Sequence, residues 1–507
     1  MDDQQEVIAF LADPANHGQV GPVSRLETHI SQLFLVGKLA YKLMRAVTLP
    51  FVDFSKLTAR RLACEAELAI NRRFAPMLYR RVRAIGRRAD GRLGWDRQAS
   101  AVDWVVEMNR FEQEQLFDRL AEQGAVDQAM LRDLADMVVR MHQGADIKSD
   151  DGGSAGIARV VAGNESSFRR FVPQIFAADE IDRLQAETRA ALDRAAPFLE
   201  RRRSDGKVRR CHGDLHLGNI CLIDGKPVPF DAIGFNEGFA CIDLFYDLAF
   251  LLMDLEERGL KEGAALLLSR YLAATLDIDG LASLPLFLSL RAAIRAHVGA
   301  AMGKAPAAHT YLARALAFLR PPPPRLVAIG GFSGSGKSLL ARRLAPFLGG
   351  SPGALVLRSD LARKYLLGVT PETHLPDAAY DEQVTAQVYR GLLDHAEQAL
   401  RAGQAVIVDA VSARPCQRDG LAALANRLGV PFTGLWLESD RAVMAERLQS
   451  RGESASDATV EVLDRQLAAD FGVVNWHRLD SSIEKEQSLR CALALVSKEE
   501  PGNEPNR

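Results

Sequence analysis

In the first part of the chain, residues 33–43 and 104–108 are rich in aliphatic, aromatic and β-branched side chains and read as strands. Residues 57–74 and 131–141 instead space their apolar side chains by three and four, as a helix does. In the second of these, Leu131, Leu134, Val138 and Met141 recur on one face and Gly144 is placed to end it. Strands therefore dominate early and helices later, with residues 149–156 reading as a loop. After residue 325 the order becomes apolar strand, glycine loop and helix, then further strand and helix pairs, the pattern of an α/β domain on a parallel sheet. Buried strands are expected at 326–330, 354–357, 405–409 and 432–437. Between them Val384, Val388, Leu392 and Ala399 share a helical face that Gly403 closes.

The two patterned regions meet at Pro321 to Pro324, which lack backbone donors and favour extended chain, and the main domain boundary is expected there. A length of 507 residues exceeds what one core normally organises. The expected division is 1–318 (an N-lobe of about 1–108 and a C-lobe of about 109–318), a linker 319–325, a second domain 326–497, and a disordered polar tail 498–507. A hydrophobic share of 48%, a charged share of 25% and a formal charge of -2 describe a globular chain with no global field for nucleic acid or an anionic membrane. The acidic N-terminus does not read as a secretory signal, and the apolar run 244–255 carries Asp247 and Asp254 and is too short to span a bilayer. A cytoplasmic location is expected. The six cysteines form no CxxC pair, which argues for free thiols rather than a zinc site or disulfides. The basic runs 80–88 and 201–210 read as solvated loops.

The strongest chemical signal runs from Gly331 to Ser338, with glycines at 331, 334 and 336, serines at 333 and 335, and Lys337 before Ser338. It satisfies GxxxxGK[ST] between an apolar strand and an amphipathic helix. Such a loop turns successive N–H groups toward phosphate oxygens, Lys337 reaches the outer phosphates, and the Ser338 hydroxyl can ligate Mg²⁺. Asp409, ending the run Val406 to Val408, reads as the Walker B acid on the metal. Asp360 follows the second strand and opens Asp360-Leu-Ala-Arg363. Over roughly residues 325–490 the chain resembles the polynucleotide-kinase and gluconate-kinase branch of P-loop kinases. That resemblance implies Asp360 as general base, Arg363 as an acceptor-positioning cation, and Arg447 with Arg451 as a lid clamping the phosphoryl group.

A second constellation lies upstream. His212-Gly-Asp214 is followed by Asn219 and, after a hairpin-like stretch, by Asp231. Phosphoryl transfer needs a carboxylate at the acceptor hydroxyl and ligands for the metals on the triphosphate; Asp214 can serve as the base, with Asn219 and Asp231 on Mg²⁺. HGDxxxxN is similar to the catalytic loop of the aminoglycoside phosphotransferase and choline-kinase family. The resemblance implies that Lys42 takes the α and β phosphates and pairs with a helical glutamate, and that the strand around 105–108 meets adenine. Of the two glutamates, Glu67 shares its face with Ile70 and Phe74, whereas Glu65 aligns with Leu68, Ala69 and the charged Arg72, so Glu67, the more inward-looking, is the expected partner. Two departures stand out: there is no GxGxxG above the phosphates, and Asp231 is followed by Ala-Ile-Gly rather than Phe-Gly.

The whole arrangement, including the run 49–55, resembles bacterial bifunctional aminoglycoside phosphotransferase and ATP-binding proteins. The fold that this implies is an α+β bilobal protein-kinase-like domain followed by an α/β P-loop NTPase domain with a parallel sheet. The expected cofactors are ATP and Mg²⁺, and the expected partner is a small-molecule hydroxyl acceptor rather than nucleic acid or a membrane. Oligomeric state carries no signal. Two further readings are an ATP-responsive switch with a weak kinase-like domain, and a nucleic-acid end-processing kinase suggested by the DxxR element.

Overall fold

The computed structural model describes residues 4–18, 21–49, 52–450 and 456–498. The chain forms two compact units, one of Met1–Ile157 with Phe198–Asp254 and the other of Ala158–Pro197 with Leu255–Arg507. The proline run lies inside the second unit, between helix Ala305–Phe318 and strand Leu326–Gly330. The tail beyond Lys498 lies outside the described residues, as do part of the run 49–55 and Arg451.

The first unit is built on an antiparallel six-stranded sheet in the order Ser24–Glu27, Ser31–Val36, Leu39–Met44, Ala101–Asn109, Tyr79–Arg87, Leu93–Trp95. The apolar run 33–43 is thus two strands rather than one: Val36 pairs with Leu39 across a turn in which Gly37 takes a φ of 56°, a conformation open to glycine at little cost. Alternation along Leu39–Met44 sends Tyr41 and Leu43 into one core and Ala40 and Met44 into the other. Lys42 shares the second face. Helix Leu57–Phe74 covers that face and buries the stripe Arg60, Ala63, Cys64, Glu67, Ile70 and Asn71.

Both basic runs differ from the solvated loops that were expected. Residues 80–88 lie largely in strand Tyr79–Arg87, where Arg80, Arg81 and Arg83 converge on the buried Glu107 of the neighbouring strand, and Arg83 stacks on Trp95 at 4.2 Å. In the second run Arg202 is buried against both oxygens of Asp243, at 2.7 and 2.9 Å. Residues 149–156 are not all loop, because a helix begins at Gly153. Glu200 accepts the Ser154 N–H at 2.8 Å and so supplies the terminus with a partner 46 residues away.

The second unit carries a parallel five-stranded sheet in the order Leu355–Arg358, Val406–Asp409, Leu326–Gly330, Phe432–Glu438, His477–Asp480. The three inner strands, buried on both faces, are continuously apolar apart from their ends, whereas the edge strand His477–Asp480 is polar and exposed except at Leu479. Helix Lys337–Leu344 packs Leu340, Ala341 and Leu344 on one face, while Phe332, Trp436, Met444 and Leu463 fill the other. The outer strand Leu355–Arg358 is covered by helix Lys261–Thr275, whose Ser269 hydroxyl accepts the Val356 N–H at 3.0 Å. Among the described residues one segment, Ile278–Ala301, is long and apolar enough by composition to cross a membrane, and 67% of its apolar window is buried within the fold.

Candidate functional site

In the first unit, strand and helix bring Lys42 and Glu67 together below the sheet, with Nζ to Oε1 at 2.9 Å. Glu65 points outward and pairs with Arg61 instead. Asp231, distant in sequence, reaches the same ammonium at 2.5 Å. Burial opposes the Lys42 charge, but Asp231 and Glu67 outweigh it and hold the ammonium well above the usual lysine range. Burial of Glu67, reinforced by Asp231 and opposed by Lys42, pushes its pKa up to about 7.

Asp231 is held by residues that the sequence did not single out. Its N–H donates to the Tyr79 hydroxyl at 3.1 Å, and its own φ is 62°. On the helix that carries Glu67, Asn71 accepts the Ala232 N–H at 2.8 Å and donates to the Ala232 carbonyl at 3.2 Å. Gly234 makes the close approach possible, since a Cβ there would lie 2.8 Å from the Glu67 nitrogen. This accounts for the glycine in Ala-Ile-Gly. An Asn four residues past Glu67, on the same inward-facing stripe, was the available signal for Asn71.

The HGD loop is fixed from below by helix Leu244–Glu257. Asp247 accepts the His212 and Gly213 N–H groups at 3.2 and 2.9 Å, and Asp254 accepts that of Leu217 at 2.9 Å. Buried His142 and Cys211 lie close enough to Asp247 to form a metal-ligating group, but both carboxylate oxygens serve the loop N–H groups. His212 donates through Nε2 to the Phe230 carbonyl at 2.9 Å and accepts the Asp214 N–H on Nδ1 at 3.3 Å, which assigns a neutral ring. Burial lowers its pKa accordingly. Asn219 Nδ2 donates to Asp214 Oδ2 at 3.0 Å, orienting that carboxylate and leaving the amide oxygen for a cation. The hairpin Ile220–Ile223 with Lys226–Pro229 sets Asn219 opposite Phe230, so Asn219 and Asp231 emerge at one end. Oxygen donors of this kind fit a hard divalent cation. Residues 105–108, expected to meet adenine, lie in a central strand bonded on both sides, and the chain leaves the sheet only past Arg110.

In the second unit the glycine loop follows the central strand. Gly331, Gly334 and Gly336 have φ of 130°, 82° and 89°. A Cβ at Gly331 would meet the Leu437 carbonyl at 2.5 Å, and one at Gly334 the Met444 carbonyl at 2.5 Å. Lys337 Nζ donates to the Phe332 carbonyl at 2.8 Å, Ser333 N–H is taken by Gln466 at 2.8 Å, and the buried Ser335 hydroxyl has no hydrogen-bond partner. An orphaned hydroxyl in such a loop fits an anionic ligand. Ile329 pairs with Asp409, which puts that carboxylate beside the loop at the C-terminal edge of the sheet, where open α/β sheets bind ligands.

Asp360 lies in the first turn of helix Ser359–Leu366 without capping it. Arg363 is buried, donates to the Ala379 carbonyl at 2.7 Å and to Thr385 at 3.3 Å, and lies 4.6 Å from the Tyr380 ring. Lys364 and Asp457, unnoticed in the sequence, form a buried pair at 3.1 Å, and Asp457 also accepts from Tyr380 at 2.7 Å. Arg447 reaches the loop at the Gly334 carbonyl (3.5 Å) and donates to the Ser481 carbonyl at 2.7 Å.

A lysine-glutamate pair beside an HGDxxxxN loop, and a glycine loop ahead of a strand-end aspartate, define a phosphotransferase of the kinase kind. Residues 54–284 match the phosphotransferase enzyme family, and residues 326–470 match an AAA domain family. The chain therefore joins an aminoglycoside-phosphotransferase-type kinase domain to a P-loop kinase domain. It is 28% identical over 480 residues to an uncharacterized protein of Mycobacterium tuberculosis, covering 91% of this chain and 93% of that one. Among solved structures, a choline/ethanolamine kinase family protein from Mesorhizobium loti is 14% identical, with 62% of this chain and 95% of that one covered at a TM-score of 0.39. A sugar kinase from Janibacter is 22% identical, with 36% and 100% covered at a TM-score of 0.28.

Proposed function

We propose that this phosphotransferase transfers the γ-phosphoryl group of ATP to a hydroxyl of a small molecule, and that it does so in two nucleotide-binding modules, residues 1–318 and 326–497, joined by 319–325. The observation that carries the reading is the Lys42–Glu67 pair with Asp231 on the same ammonium, which gathers a phosphate-binding cation and a metal-ligating carboxylate at one point. Mg²⁺ bound with ATP would neutralise charge on the triphosphate.

In the first module Lys42 binds the α and β phosphates while Glu67 fixes its position. Asn219 and Asp231 offer oxygens to the metal. Asp214, turned by Asn219, takes the proton of the acceptor hydroxyl. In the second module the loop N–H groups from Gly331 to Gly336 cradle phosphates, Lys337 neutralises the outer ones, and Ser338 with Asp409 holds the cation. Asp360 acts as base, and Arg363, braced on Ala379 and Thr385, orients the acceptor. Arg447, beside Gly334, and Arg451 take the phosphoryl charge. The near-neutral net charge of -2 supports a small acceptor over a nucleic acid.

The test is a screen of the full chain against sugars, alcohols, hydroxy acids and oligonucleotides, with ATP loss and phosphorylated product followed separately. Asp214→Asn and Lys337→Ala should each abolish a different transfer while leaving the other within a few fold, since positioning at this scale is local to each module. Loss of both transfers in either variant would contradict two independent catalysts and favour a gated pair.

A further inference from the structure

Asp409 is only 4% exposed, and a carboxylate so buried needs a cation or several donors around it. Its ion-pair partner is Arg358, the last residue of the neighbouring strand and directly opposite it in register. Arg358 Nε donates to Asp409 Oδ2 at 3.2 Å, and Nη2 donates to Ser338 Oγ at 3.3 Å. Nε and Nη2 lie on one edge of the planar guanidinium, so a single rigid fork spans both oxygens. Ser338 and Asp409 are also the two residues read above as metal ligands of the P-loop module. A lone pair given to an N–H is not available to a cation.

We propose that Arg358 is the built-in counter-ion of this metal site: in the nucleotide-free protein its guanidinium holds the Ser338 hydroxyl and the Asp409 carboxylate in place, and it releases both when they ligate a divalent cation. The inference rests on the P-loop nucleotide reading. Three features of the site support it. The strand register fixes Arg358 at the same sheet edge as Asp409, so the contact is built into the fold. The Arg358 side chain is 25% exposed, which gives the guanidinium a way out toward water. A guanidinium and a divalent cation repel at this range in a partly buried site, so the two occupancies exclude each other. Arg358 thereby keeps Asp409 compensated when empty and raises the Mg²⁺ concentration needed to load the site. It is a positioning residue.

The experiment uses the full chain with Lys42→Ala, which removes nucleotide binding at the first module. Binding of a non-hydrolysable ATP analogue is measured by calorimetry while MgCl₂ is titrated, and thermal melting is recorded in EDTA. Arg358→Gln should reach half-saturation at about tenfold less Mg²⁺, the worth of one charge-assisted competitor. It should also melt a few degrees lower in EDTA, and that difference should vanish at saturating Mg²⁺ and analogue. Arg358→Lys keeps the charge but not the fork and should fall between the two, which keeps the test open if the Gln variant does not fold. An unchanged or raised Mg²⁺ requirement, with unchanged melting in EDTA, overturns the proposal. If the Lys42→Ala protein binds no analogue at any Mg²⁺ concentration, the P-loop reading itself fails, and this inference with it.

Discussion

Glu67→Gln removes one of the two carboxylates that share the Lys42 ammonium. Asp231 is the nearer at 2.5 Å and the more exposed, with 45% of its side chain accessible against 7% for Glu67. Burial of Glu67, reinforced by Asp231 and opposed by Lys42, moves its pKa from an ordinary 4.5 up to about 7. An acid whose folded pKa exceeds its unfolded one binds more protons when folded. Its protonation thus contributes stability that is complete below about 4.5 and is lost as pH rises through about 7. At about 1.4 kcal/mol per pH unit, that gap corresponds to at most about 3.5 kcal/mol. Glutamine mimics the protonated acid and has no such dependence. Urea unfolding of wild type and variant between about pH 5 and 8.5, followed on the transition that Lys42→Ala also shifts, should show the wild type losing about 2 kcal/mol relative to the variant as pH rises. Parallel curves across that range would refute the argument, because they would mean that Glu67 is ionised throughout and that Lys42 compensates both acids.

Two further substitutions test the framework around each site. Asn71→Ala leaves the Ala232 N–H and carbonyl without their partner and should cost about 2–3 kcal/mol in denaturant unfolding, with kcat of the first module falling more than its ATP affinity as Asp231 loosens. Asp360→Asn should lower transfer by the second module about 100-fold or more while ATP affinity, measured by calorimetry, stays within a few fold; equal losses in both would make Asp360 a structural residue.

The features legible along the chain are local ones. The loop from Gly331 to Ser338 is legible because each position answers a demand made within eight residues, and helix Leu57–Phe74 because a 3.6-residue period fixes which side chains face inward. Helix phase alone separates Glu65 from Glu67. The parallel sheet followed from continuous apolar strands alternating with helices. Where a short element depends on a remote partner, local reading failed. The arginine strand paired to Glu107 and the helix start braced by Glu200 take their stability from chain that arrives later, as does strand Leu39–Met44, which pairs with Ala101–Asn109. Long-range packing alone brings Asp231 to Lys42 across 189 residues, clamps Asn71 on Ala232, and lays Arg358 across Ser338 and Asp409. Periodicity encodes the direction in which a side chain points, but its partner is set by strand register and by the packing of helices from distant parts of the chain, and neither leaves a mark within a few residues of the side chain concerned.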